Sequence, residues 1–180
     1  MENEITTALK VLQSGGVILY PTDTIWGLGC DATNPEAVQK IYNIKQREES
    51  KVLISLVADE NMLQKLTNHI PKIDITSNPT TVIYQNVTGL SSNLLSDDGT
   101  AAIRIVQDEF CKKLIHSFGK AIVSTSANIS GINNPKQFSD ISDEIKNNAD
   151  YIVNLRQNQT RENPSTIIKI EKDGSITKLR

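Results

Sequence analysis

Two cysteines in 180 residues, Cys30 and Cys111, are too few and too far apart for a zinc site, a redox C-x-x-C pair or a disulfide framework. Reduced thiols in a cytoplasmic protein are the simplest expectation. His69 and His116 have no partners at metal-ligand spacing, so no metal-binding residues are expected. Long hydrophobic runs are missing as well. "VILY" and "VLISLVA" fall far short of the roughly 20 apolar residues that cross a bilayer, so no membrane partner is expected. The start, "MENEITTALK", is acidic and amphipathic and lacks the basic and apolar regions of a secretory signal. Basic excess is absent: 19 Lys and Arg face 21 Asp and Glu, the net charge is −2, and the isoelectric point is near 5.7. That balance argues against an overall nucleic-acid footprint, though not against a local patch. The common phosphate-binding signatures are missing too. No G-x-x-x-x-G-K-[ST] loop occurs, and "GLGCDA" lacks the third glycine of a dinucleotide fingerprint. "SFGK" matches S-x-x-K without its companion motifs and reads as a helix end.

What is present is the patterning of one globular domain. Hydrophobic residues make up 38% of the chain and mean hydropathy is −0.30. The length suits a single domain over 1–180 with a substantial core. Residues 3–13 place Ile5, Ala8, Leu9 and Leu12 on one helical face, with "SGG" ending it. "VILYP" reads as a buried strand, followed by "TDTIWGLGC", read as glycine-rich turns. "TNPEAVQKIYNIKQRE" reads as a helix with Asn34 as N-cap and Pro35 at its first position. Strands are expected at "VLISLVA", "TTVIYQNV", "AAIRIV", "KAIVSTSAN" and "YIVN". Helices are expected at "DENMLQKLTNHI", "DEFCKKLIHSFG" and "SDISDEIKNNA". A closing hairpin turns at "DG" within "STIIKIEKDGSITKLR". Strands and helices mostly alternate, yet the hairpin implies antiparallel neighbours, so an α+β fold around a mixed sheet is expected.

The chemistry-bearing residues gather at expected element ends. Lys45 lies seven residues after Val38 and four after Ile41, on the buried stripe of its helix. Its stem can lie on the core while the ammonium reaches past the sheet edge. Alternatively, Lys45 and Arg47 only complement the helix C-terminus. Arg104 shares the alternation class of Ala102 and Val106 inside an apolar strand, where an arginine needs a buried partner or a ligand. "STSAN" (Ser124 to Asn128) places three hydroxyls and an amide at a strand end, and "PSTI" (Pro164 to Ile167) repeats the pattern. Such turns can surround phosphate oxygens with neutral donors, or simply bond their own backbone. Thr22, Asp23 and Thr24 sit at another strand exit, where Asp23 could make a local Asx turn. No nucleophile has its own base, so positioning and charge stabilisation would carry any rate.

In this order, "GGVILYPTDTIWGLGCDA", "IYNIKQREESKVLISLV", "NPTTVI", "AAIRI", "STSANISG" and "PSTIIKI" resemble the YrdC/TsaC family of threonylcarbamoyl-AMP synthases nearly end to end. The resemblance implies a twisted mixed sheet with helices around a concave groove. It also implies conversion of L-threonine, bicarbonate and ATP, with Mg2+, to threonylcarbamoyl-adenylate and pyrophosphate, for t6A modification of tRNA. The receiving partner would be the t6A transferase complex. Lys45, Arg47, Ser126 and Asn128 match the family's signature for the nucleotide, a role the resemblance extends to Thr81 and Arg180. Thr22, Lys51, Arg104, Ser124 and Ser165 match positions at the threonine end. Trp26 would stand as a wall beside the groove. Glu48 and Val52 replace the usual prolines, and "IPKIDITSNPTT" replaces a longer helix and turn. The chain ends at Arg180, so the extra C-terminal domain of longer relatives is not expected.

Two other readings share these motifs. One is a module binding double-stranded RNA or tRNA through the same groove, for which no basic stripe is evident. The other is a retuned relative acting on another carbamoyl or adenylate ligand.

Overall fold

A computed structural model describes residues 1–47 and 53–180. Among these residues nine strands form one twisted mixed sheet. In chain order they are β1 (Ile18–Tyr20), β2 (Gly27–Gly29), β3 (Ile54–Val57), β4 (Thr80–Tyr84), β5 (Ala101–Ile105), β6 (Ile122–Ser126), β7 (Tyr151–Ile152), β8 (Thr166–Ile170) and β9 (Ile176–Lys178). Their spatial order is β7-β1-β2-β6-β3-β5-β4-β8-β9. The β7–β1, β3–β5 and β4–β8 pairs are parallel and the rest antiparallel.

Five α-helices among the described residues pack on the sheet: α1 (Glu2–Gln13), α2 (Pro35–Lys45), α3 (Glu60–Gln64), α4 (Glu109–Phe118) and α5 (Asp143–Asn148). Their starts follow the capping chemistry of the sequence. Asn34 accepts from the amides of Glu36 and Ala37, Asp59 from Met62, Asp108 from Cys111 and Ser142 from Ile145. Helix α3 is shorter than the expected 59–70. The Thr67 hydroxyl turns back to the Gln85 carbonyl at 3.3 Å and accepts from the His69 amide at 3.2 Å, bonds that compete with a continuing helix.

The two sheet faces are filled differently. One carries a core in which α2 (Ala37, Val38, Ile41, Tyr42) packs on Leu19, Leu28, Val82, Ile103 and Val123. On the other, α1 (Ile5, Ala8, Leu12) and α4 (Phe110, Leu114, Ile115) cover Ile18, Tyr20, Leu56 and Ile122. Each such aliphatic or aromatic side chain contributes about 1.5–3 kcal/mol by burial. Farther along the strands of that second face, Ile54, Ala102 and Ser124 line a groove instead.

"GLG" forms β2, where turns were expected. Both glycines answer to space. A Cβ on Gly29 would lie 2.6 Å from Cε1 of Tyr20 and 2.7 Å from the Val123 carbonyl oxygen. Tyr20 lays its ring into that gap and donates its hydroxyl to the Val123 carbonyl at 3.2 Å.

Candidate active site

The groove encloses about 390 Å³, within the usual range for small-molecule sites. Its walls come from distant parts of the chain: the 24–27 segment, the end of α2, the floor of β3, β4 and β5, the β6 exit, and the approach to β8. Lys45, Arg47, Arg104 and Arg180 all line it, and no Asp or Glu does among the described residues. A concave, partly apolar site with four cations and no acid focuses a positive field that favours anionic ligands.

Lys45 is 1% exposed. Its ammonium donates to the carbonyls of Ser126 (2.5 Å) and Asn128 (2.6 Å) and to Oδ1 of Asn128 (3.3 Å). The Ser130 amide returns a bond to the Lys45 carbonyl at 2.9 Å, so the end of α2 and the β6 exit are braced both ways. Burial, with Arg47 adding repulsion, pulls the Lys45 pKa down to about 7. The three oxygens around Nζ act in the opposite sense, because only the ammonium has three hydrogens to give them. Burial also lowers the pKa of Arg47. For Arg180, burial first and then the neighbouring Arg104 act in the same direction.

Arg104 is 3% exposed on β5. Its Nη2 donates to Oδ1 of Asp23 at 3.0 Å and to the Thr24 hydroxyl at 3.4 Å. Asp23 does not close a local turn; its Oδ2 accepts from the Gln107 amide at 3.0 Å. The Arg104 Nε is a buried donor without a partner among the described residues. Leaving such a donor unpaired costs about 1–3 kcal/mol, and a carboxylate or phosphate oxygen in the groove would satisfy it.

Of the residues expected at the nucleotide, Lys45, Arg47, Ser126, Asn128 and Arg180 line the groove together. At the expected threonine end, Arg104, Ser124 and Ser165 do so as well, while Lys51 falls outside the described residues, as do Glu48 and Val52. Thr22 and Thr81 stand one hydroxyl behind the wall. Thr22 shares a 3.0 Å contact with the Thr24 hydroxyl and donates to the Ile25 carbonyl at 2.8 Å. Thr81 is fully buried, with its hydroxyl 2.8 Å from that of Ser165. Arg180 bonds the Ser165 carbonyl through Nε at 3.0 Å. Trp26 lines the groove at 2% exposure, its ring 5.0 Å from that of Phe138.

The sequence did not single out Ser130, Gly131 and Asn134, which line the groove from the loop after β6. That loop meets the one before β8. The Arg161 amide donates to the Lys136 carbonyl at 2.7 Å, and the Lys136 ammonium lies 3.2 Å from Glu162. Among the described residues no cluster of three or more His, Cys, Asp or Glu is placed to hold a metal ion. Nor is any helix of the described residues long and apolar enough to cross a membrane.

Comparison with known proteins gives the geometry its relatives. A family model named Sua5/YciO/YrdC, described as "Telomere recombination", matches residues 10–180. The threonylcarbamoyl-AMP synthase of Photobacterium profundum is 32% identical over 177 residues, covering 93% of this chain and 94% of that protein. The one from Pseudoalteromonas translucida is 34% identical over 160 residues, covering 84% and 86%. Among solved structures, P. abyssi Sua5 complexed with L-threonine superposes with a TM-score of 0.86 at 25% identity over all of this chain. This chain spans 54% of that Sua5 chain. E. coli YciO has the same fold, with a TM-score of 0.84 at 22% identity, covering 100% of this chain and 89% of YciO.

Proposed function

The chain belongs to the Sua5/YciO/YrdC family, and from that premise we propose that its groove makes threonylcarbamoyl-adenylate and pyrophosphate from L-threonine, bicarbonate and ATP. One observation carries the reading: among the described residues four cations and no acid line the groove, together with the hydroxyl-rich 124–128 turn and a buried arginine with a donor to spare.

In this reading the threonine carboxylate binds Arg104, whose position Asp23 fixes through Nη2. The threonine amine attacks the carbon of bicarbonate or CO2 and gives a carbamate, with loss of water from the former. A carbamate oxygen then displaces pyrophosphate from the α-phosphorus. The negative charge building on the phosphates is met by Lys45, Arg47 and Arg180 and by the hydroxyl of Ser126. Phosphate beside Lys45 favours the ammonium that burial disfavours, so nucleotide binding takes up a proton above pH 7. A magnesium ion would come with the nucleotide and offset the charge of its phosphates, since no Asp or Glu among the described residues lines the groove. The adenylate then passes to the t6A transferase machinery acting on tRNA. A duplex RNA, read across a broad surface of phosphate contacts, could not reach cations buried as deeply as Lys45 and Arg104.

The test is pyrophosphate release from ATP with L-threonine and bicarbonate each present or omitted, the product identified by mass. Release is expected only with both. Equal release without threonine would end the proposal.

A further inference from the structure

The loop before β8, residues 156–164, is tied down unevenly. At its start Arg156 holds a left-handed backbone, with φ of 55°, which a non-glycine residue keeps only where its surroundings impose it. The imposing contact is a forked ion pair. Nη2 of Arg156 donates to Oδ1 of Asp108 at 3.0 Å and Nη1 donates to Oδ2, while Asp108 also caps α4. These side chains are only 20% and 7% exposed, so the pair is a strong one. At the far end the Thr166 amide donates to the Pro79 carbonyl at 3.0 Å and starts β8. Among the described residues, 157–163 bond the chain beyond Arg156 at Lys136 alone, through the Arg161 amide and the Glu162 carboxylate. The Lys136 and Glu162 side chains are 64% and 53% exposed, and water screens such a pair.

The weak tie joins the two loops that flank the groove. Ser130, Gly131 and Asn134 line it from one, Pro164 and Ser165 from the other. Beside this seam there is room for movement. A cavity of about 640 Å³ lies between residues 159–163 and the pair Asp23 and Thr24, and Thr24 also lines the groove. Arg161 lines that cavity, its guanidinium bonded to the Gln159 side chain of the same loop at 3.4 Å. Asp23, across the cavity, is already engaged by Arg104 and by the Gln107 amide. Among the described residues, the loop thus carries a cation tied only to itself, next to a groove whose field collects anions.

We propose that residues 157–163 form a gate beside the groove, hinged at Arg156, latched at Lys136, and drawn shut over a bound nucleotide by Arg161. This rests on the reading that the groove takes a nucleotide polyphosphate. Opening breaks only the exposed Lys136–Glu162 pair and one main-chain bond, while Asp108 keeps the hinge in place. Closing carries Arg161 toward the phosphates and empties the space before Thr24 of water. A carbamate and an acyl adenylate both decompose in water, so the gate protects what the groove makes.

The experiment follows amide hydrogen exchange of residues 157–163 in the full chain, free and saturated with ATP, with pyrophosphate release recorded in parallel. Bound ATP is expected to slow exchange of this segment by roughly 10-fold. Lys136→Glu sets like charges at the latch and should speed exchange of the free protein by roughly threefold or more. The charge swap, Lys136→Glu with Glu162→Lys, should bring that rate back to wild type. Arg161→Gln should leave the free rate within about twofold and remove most of the slowing by ATP. No slowing with ATP bound, wild-type exchange in Lys136→Glu, no rescue by the swap, or full ATP protection in Arg161→Gln would each overturn the proposal. If the exchange pattern holds while no pyrophosphate forms, the gate stands and the adenylation reading falls. If pyrophosphate forms only with threonine and bicarbonate while exchange ignores ATP, the gate falls and the adenylation reading stands.

Discussion

Replacing Lys45 by methionine separates two roles that the structure gives one side chain. The methionine keeps the apolar stem but removes the ammonium from the carbonyls of Ser126 and Asn128. Holding a charged lysine where its pKa has fallen from 10.5 to about 7 costs the fold about 5 kcal/mol at neutral pH. The three bonds from the ammonium to the Ser126 and Asn128 oxygens offset part of that cost. A buried charge that gives way to an apolar isostere is often close to neutral or stabilising, so the substitution should lower stability by no more than about 2 kcal/mol. Turnover should respond quite differently. Loss of one preorganised cation beside the phosphates is expected to slow pyrophosphate release by roughly 100- to 1,000-fold. Thermal unfolding and single-turnover kinetics on the same preparation give both numbers. A large fall in melting temperature with a matching fall in rate would mean that Lys45 only braces the 126–128 turn. A folded Lys45→Met protein with near-normal rate would refute the phosphate role altogether.

The pH dependence follows from the same group. Its folded pKa is depressed, so Lys45 favours the folded state fully above pH 10.5, and that contribution is lost as pH falls toward about 7. Stability of the wild type relative to Lys45→Met should therefore rise between pH 7 and pH 10, read by urea unfolding at each pH; a flat difference would contradict the assignment. Arg104→Ala should raise the KM for threonine by roughly 10- to 150-fold, from the loss of a charge-assisted pair, and leave ATP affinity close to unchanged. An equal effect on both substrates would remove Arg104 from the amino-acid end. Asp23→Ala strips a buried arginine of its carboxylate and should destabilise by about 3–5 kcal/mol; a loss below 1 kcal/mol would show that the pair is solvated. Gly29→Ala forces Tyr20 or β6 to move and should cost about 1–3 kcal/mol by denaturant unfolding, and a neutral result would show that the ring has room to shift.

Most elements were legible because their signals are local. Asn34, Asp59, Asp108 and Ser142 are each followed by helical residues whose amides they cap, and such residue types announce themselves in sequence. β2 was not legible. "GLG" has neither β-branched residues nor alternation, and the reason for Gly29 is a tyrosine ring on another strand. Arg104 declared itself as a cation in an apolar strand, but its partner Asp23 lies 81 residues away and carries no periodicity to connect them. Lys45 was placed on the buried stripe of its helix by spacing alone. The oxygens that hold it were invisible for a different reason: two of the three belong to the main chain, which every residue has. Thr22 and Thr81 show the converse limit, since a motif brings hydroxyls near a groove without saying which one faces it.

The strand order also bears on how the protein comes into being. Across β6, β3, β5, β4 and β8 the paired residues run 124, 54, 102, 83 and 169 in that spatial sequence, so early and late parts of the chain interleave. As the polypeptide leaves the ribosome, β3, β4 and β5 can pair among themselves, while Ser124 and Lys169 are not yet synthesised. Until β8 emerges, β4 presents a bare, apolar edge open to chance pairing with another chain. Loop closures this long are slow to find. A nascent chain stalled before residue 166 thus lacks both its ligand site and the strand that protects it, and its window of vulnerability closes only once β8 has been made.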